Sequence, residues 1–134
     1  MSEHFTSREL ACRCCGENRC TPELVAALEA LRAAVGNQPI IVHDAYRCVK
    51  HNAEVGGAPH SEHVAGLAAD ISVDGMTAAE LEAAAWTVPA IHGTGRGDAQ
   101  NYLHIDVRNV VSRWCYDATG KQVEYYPPHE TEAA

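Results

Sequence analysis

Lysine is almost missing from this sequence. Lys50 and Lys121 are the only two, and with the arginines they make 10 basic residues against 18 acidic ones, a formal net charge of −8. Such a chain has no basic stripe to neutralise phosphates, so no nucleic-acid partner is expected. Long apolar runs are missing as well, and no membrane insertion is expected. The opening MSEHFTSREL has no basic-then-apolar leader, so the expectation is synthesis in the cytoplasm without a signal peptide. Repeats and low-complexity blocks are also absent. What remains is ordinary globular composition, 46% apolar and 21% charged over 134 residues. That length suits a single domain with a real core, expected over residues 1–126, with PPHETEAA at 127–134 as a loose tail. A monomer is expected.

Cysteine, by contrast, is plentiful. Four of the six crowd into CRCCGENRC, as Cys12, Cys14, Cys15 and Cys20, while Cys48 and Cys115 lie far along the chain. A structural metal on Cys12, Cys14, Cys15 and Cys20 is one reading, although the spacing is not the two-knuckle ribbon pattern. Plain thiols, or disulfides that also draw in Cys48 and Cys115, are the preferred reading.

The elements can be placed coarsely. TSREL reads as a short helix capped by Thr6 or Ser7. TPELVAALEALRAAVG is the clearest helix: Thr21 caps it, Pro22 takes the first position, Leu24, Ala27, Leu28, Leu31 and Val35 make one apolar stripe, and Gly36 stops it. PIIVHDAYR reads as a strand and CVKHNAEVGGAP as a turn or two of helix. LAADISV reads as a strand and MTAAELEAAAW as a helix with a Thr77–Glu80 capping box. YLHIDVR alternates as a strand, GRGDAQN reads as a loop, and WCYDATG with QVEYY suggests a closing hairpin. Without a βαβ rhythm, the expected class is α+β, an antiparallel sheet flanked by helices.

One stretch breaks the logic of a core strand. PHSEHVAGLAADI buries Asp70 between Ala69 and Ile71. Alternation puts Asp70 on the face opposite Ile71, and in YLHIDV it puts His104 and Asp106 together, opposite Leu103 and Ile105. If the two strands are neighbours, Asp70 and His104 meet. His63, seven residues before Asp70 and across a turn at Gly66, can double back to join them. Two imidazoles and a carboxylate with an open fourth position is a catalytic zinc donor set, and a dication at about 2 Å would compensate the desolvation of Asp70.

The constellation Ser61-x-His63-x2-Gly66-x-Ala68-x-Asp70, with DAYR, HN and GGAP before it and LHIDVR followed by RW after it, resembles the M15 family of zinc peptidases. That family includes D-Ala-D-Ala carboxypeptidases, D,D-dipeptidases and phage L-alanyl-D-glutamate endolysins, and the hedgehog signalling domain shares its fold. The likeness runs from about Phe5 to about Trp114 and lies nearest to small phage or prophage-type members. It implies a D-Ala-D-Ala carboxypeptidase/hedgehog-like fold, one catalytic zinc on His63, Asp70 and His104, and hydrolysis of an amide bond in peptidoglycan stem peptides. It gives Arg47 the substrate carboxylate or scissile carbonyl, with Ser61 and Tyr46 as further substrate-binding positions. It also implies action on the cell wall after release from the cytoplasm.

The sequence departs from the family pattern in two places. Asp44-Ala45 replaces a Ser-Gly pair, and Asn101 stands three residues before His104, where several relatives carry a general base. Asp98 and Asp106 are the substitutes for that role, and Asp106 has the alternative of orienting a zinc ligand. No role is assigned to His60 or Glu62. His4, His43, His51, His92 and His129 are read as surface or packing residues. Two rivals stand beside the peptidase: a catalytically inactive zinc-containing binding module of the same fold, and a cysteine-cluster scaffold.

Overall fold

Helix initiation follows the capping residues. Thr6 caps α1 (Ser7–Leu10) and Thr77 caps α4 (Ala78–Ala85), each in a reciprocal box with Glu9 or Glu80. Thr21 caps α2 (Pro22–Ala34), whose first position is the proline. Side-chain oxygens here accept N–H groups that a first turn leaves without partners. Leu24, Leu28 and Leu31 of α2 are fully buried, each contributing about 1.5–3 kcal/mol. A shorter helix, α3 (Val49–Glu54), follows Cys48, and no helix among the described residues is long and apolar enough to cross a membrane. The computed structural model describes residues 2–58 and 61–128. His60, His129 and the expected tail from residue 129 onward lie outside them.

The strands are β1 (Ile41–Asp44), β2 (Ala68–Ser72), β3 (Gly93–Gly97), β4 (Tyr102–Asp106), β5 (Ser112–Tyr116) and β6 (Gln122–Glu124), in the sheet order β1-β2-β4-β3-β5-β6. The class is α+β, as expected, but the sheet is not wholly antiparallel: β3 and β5 run parallel. The reason is topological. β5 returns antiparallel to β4, but β3 lies between them. β5 and β6 make the expected closing hairpin.

β3 is the element that the sequence reading missed, because GTGRG looks like loop. Its glycines lie opposite Asp106, His104 and Tyr102 in the β4 register. A Cβ on Gly93 would overlap the Asp106 carboxylate, on Gly95 the Trp114 indole, and on Gly97 the Tyr102 ring. The strand is glycine-rich because the neighbouring strands fill its face.

Alternation gives the sheet two unlike faces. Val42, Ala69, Ile71, Leu103 and Ile105 join the apolar cluster with α2 and α4. Asp70, His104, Asp106, Trp114 and Tyr116 occupy the other face, which forms the floor of a cleft.

Candidate metal centre

Asp70 stands directly opposite His104 in the β2–β4 pair. His63 reaches the same point from the turn that ends at Gly66 (φ +76°), where an added Cβ would strike the Arg19 carbonyl. Ser61 shapes this turn by accepting the His63 backbone N–H at 3.1 Å, so it caps the turn as well as lining the cleft.

Each imidazole is held by the nitrogen that faces away from Asp70. His63 Nδ1 lies 2.6 Å from the Ala45 carbonyl, an acceptor only, so this nitrogen carries the proton. His104 Nε2 lies 2.8 Å from Asp106 Oδ2, which assigns its proton in the same way. In the neutral rings the remaining lone pairs, on His63 Nε2 and His104 Nδ1, point at Asp70 Oδ1 from 3.2 and 3.1 Å. Three acceptors facing one another need a cation between them, either protons or a metal ion. Donors bound at about 2 Å to one tetrahedral ion sit roughly 3.3 Å apart, so the spacing fits zinc. All three ligand atoms lie within 4.8 Å of one another.

The electrostatics point the same way. Burial alone would raise the Asp70 carboxyl, but the His63 charge and hydrogen bonds from His104 and His63 hold it well below the usual range. For His104, burial opposes the charged form, yet Asp106 and Asp70 outweigh it and push the imidazole up to about 9.

Arg47 approaches from the β1–α3 connection. Its Nε donates to Asp44 Oδ2 at 2.6 Å and its Nη1 to Asn52 Oδ1 at 3.2 Å, while Nη2 lies 3.5 Å from Asp70 Oδ2. The Asp44-Ala45 departure therefore has a use: Asp44 aims Arg47, and the carbonyl of Ala45 orients His63. Asn52 was not singled out from the sequence, although its place in the HN pair was the available signal. Gly57 has to be glycine, because a Cβ there would overlap Asn52 and crowd Arg47.

The other expected residues divide. Tyr46 is buried, its backbone bonded to the Leu10 carbonyl, and it does not line the cleft. Asp98 pairs with Arg96 at 2.9 Å. Arg96 lies opposite Leu103 in the register, on the helix face, so Asp98 is drawn away from His104. Asp106 is on the correct face but is fully buried and fully engaged, with Oδ2 on His104 and Arg108 Nη2, and Oδ1 on the Arg108 backbone N–H and Nε. It orients His104 and has no oxygen free to take a proton. Asn101 (φ +56°) accepts the Ala78 N–H at 2.8 Å and so ties the start of β4 to α4. Among the described residues, the carboxylates lining the cleft are Asp70 and Glu62, and the sequence offered no signal for Glu62.

The cleft has a volume of about 720 Å³. Arg47, Arg108 and Lys121 are its cations, and Tyr102, Trp114 and Tyr116 its aromatic wall. Burial pushes the Tyr116 phenol up to about 12 and raises Tyr102 as well, so both remain hydrogen-bond donors at neutral pH.

Of the other histidines among the described residues, His4 pairs with Glu29, His43 with Ser72 and His92 with the Arg108 carbonyl, while His51 stands beside Cys14 and Glu54. The cysteines gather differently from the expected set. Cys12, Cys15 and Cys48 come together, whereas Cys20 turns its sulfur toward the Leu10 carbonyl at 3.6 Å.

Two comparisons bear on this site. The family model described as Peptidase M15 matches residues 3–106. The zinc D-Ala-D-Ala carboxypeptidase of Streptomyces albus G is 48% identical over 44 residues, 33% of this chain, and the match spans 17% of that protein's length.

Proposed function

The chain belongs to the peptidase M15 family, and from that premise we propose that it is a zinc-dependent peptidase cutting an amide bond in peptidoglycan stem peptides. The observation that carries the reading is the convergence of His63 Nε2 and His104 Nδ1 on Asp70 Oδ1, with both outer nitrogens already held. His63, Asp70 and His104 would hold the ion. A bound zinc supplies Lewis acidity toward the scissile carbonyl and lowers the pKa of bound water to roughly neutral.

The residues of the chain supply binding and proton handling. Arg47, fixed by Asp44 and Asn52, offers Nη2 to a substrate carboxylate or to the scissile carbonyl oxygen. Arg108 and Lys121 add positive charge on the same wall. In a chain of net charge −8, a cleft lined by three cations favours an anionic substrate, and stem peptides carry carboxylates. The Tyr102 and Tyr116 hydroxyls donate. Glu62 is the cleft carboxylate outside the metal triad, so the proton-accepting role is assigned to its side chain. Asn101 gives the inactive-module reading no support, because its side chain serves α4 rather than the cleft.

The two finer forms, D,D-carboxypeptidase and L-Ala-D-Glu-type endopeptidase, release different products. The test is incubation with purified muropeptides, with and without chelator, read by mass spectrometry. Chelator-sensitive release of D-alanine marks the first form, and cleavage after L-alanine the second. Muropeptides left intact by zinc-loaded protein would hand the site to the inactive binding module. A phage or prophage-type role at the wall after release from the cytoplasm belongs to the same reading. Its check is fractionation of intact cells, where a periplasmic pool would contradict it.

A further inference from the structure

Three sulfurs meet beside the start of α3, and a fourth lies next to them. Cys12, x2, Cys15 and Gly16 form a tight turn, in which the Gly16 N–H donates to the Cys12 carbonyl at 2.9 Å and Gly16 takes φ +75°. Cys48 enters from the start of α3, and the sulfurs of Cys12, Cys15 and Cys48 lie within 4.8 Å of one another. The Cys14 sulfur lies near that of Cys48, and its ligand atom stands within 4.8 Å of those of His51 and Glu54.

Backbone donors converge on these sulfurs. The Cys48 N–H reaches Cys12 Sγ at 3.4 Å. The His51 N–H donates to Cys48 Sγ at 3.4 Å. Such donors stabilise thiolates, the form in which cysteine binds metal. Zinc–sulfur bonds of about 2.3 Å place tetrahedral sulfurs roughly 3.8 Å apart, within the 4.8 Å limit met by Cys12, Cys15 and Cys48.

We propose that Cys12, Cys14, Cys15 and Cys48 bind a second, structural zinc ion that fastens the 12–15 turn to the segment carrying Arg47. A tetrahedral all-sulfur set with no open position suits a structural ion. The two cysteines outside the set have other partners: Cys20 faces the Leu10 carbonyl and Cys115 the Tyr126 carbonyl. The site is independent of the His63–Asp70–His104 centre, so either can fail without the other.

The test is elemental analysis of the full chain with the first centre disabled. His63→Ala protein, prepared under reducing conditions, is expected to retain zinc, and His63→Ala/Cys48→Ser to lose it. Cys20→Ser is expected to leave the metal content of wild type unchanged. Because the Cys48 variant can fail by misfolding, a second reading uses no cysteine substitution: cobalt-loaded His63→Ala should show thiolate-to-cobalt charge-transfer absorption. His63→Ala protein that is metal-free, lacks that absorption, or has these thiols oxidised in pairs by mass spectrometry would overturn the proposal.

Discussion

The sheet buries acid on both faces, and the two faces neutralise it differently. On the helix face the charge is balanced from within the chain. Arg96 donates from Nη1 to Glu82 at 2.9 Å, from Nε to Asp98 at 2.9 Å and from Nη2 to the Tyr126 carbonyl at 2.6 Å, with the rings of Tyr125 and Tyr126 over its guanidinium. On the cleft face Asp106 is balanced by Arg108 and His104, but Asp70 faces His63 Nε2 and His104 Nδ1 at 3.2 and 3.1 Å, a gap that exchangeable protons or a metal ion must fill, with the Arg47 guanidinium at 3.5 Å. The Arg96 network on one face, which leaves only Glu82 Oε2 without a partner, supports the fold. An open one on the other leaves room for a cation and a substrate.

Variants can break that contrast. The largest effect is expected from Asp70→Asn, which removes the carboxylate on which both imidazoles converge. Zinc at this centre should be lost and turnover should fall to background, with the fold retained by circular dichroism. Full activity in this variant would show that the open face is not a metal centre. Glu62→Gln comes next: turnover on muropeptides should fall by about 10²–10⁴ with zinc still bound, while Asp98→Asn leaves turnover near wild type. An inverted result would return the proton-accepting role to the loop after β3.

Arg96→Leu attacks the closed face and should move stability instead of chemistry. It leaves Glu82 buried without its cation, at a cost of about 3–5 kcal/mol in denaturant unfolding, with zinc affinity unchanged. If zinc affinity fell along with stability, the two faces would not be separable. Asp106→Asn should be milder, weakening zinc by about 10–100-fold through a loosened His104, and chelator competition reads it directly.

The smallest effect is a pH trend with opposite signs in the two forms. His104 is pushed from its ordinary 6.5 up to about 9, against its burial, by Asp106 and Asp70. In metal-free protein its stabilising contribution is full below about pH 6.5 and is lost as pH rises through about 9. Zinc must displace that proton, so its affinity should drop by about tenfold per pH unit below 9. Parallel trends in the two forms would contradict the assignment of His104 Nδ1 as a ligand atom.

How much of this was legible in the sequence follows from the range of each signal. Period-two alternation in AADIS and YLHID put Asp70 and His104 on one face, and the spacing from Ser61 to Asp70 brought in His63. Caps at Thr6, Thr21 and Thr77 marked the helices. β3 stayed hidden because its glycines answer to side chains on β4 and β5, which no local window contains. The directions of Asp98 and Asn101 were hidden for a related reason, since they depend on Arg96 and on the start of α4. Cys48 lies 36 residues beyond Cys12, so spacing favoured Cys20. Tyr46 was a substrate-binding position only through the family resemblance, and its backbone N–H bonds the Leu10 carbonyl.

The most direct test of the account is an anomalous difference map at the zinc edge from crystals of the zinc-loaded protein. It predicts a peak bonded to His63 Nε2, Asp70 Oδ1 and His104 Nδ1, with His104 Nε2 still on Asp106. A map with no peak among these three atoms, or with the metal on His104 Nε2, would contradict it.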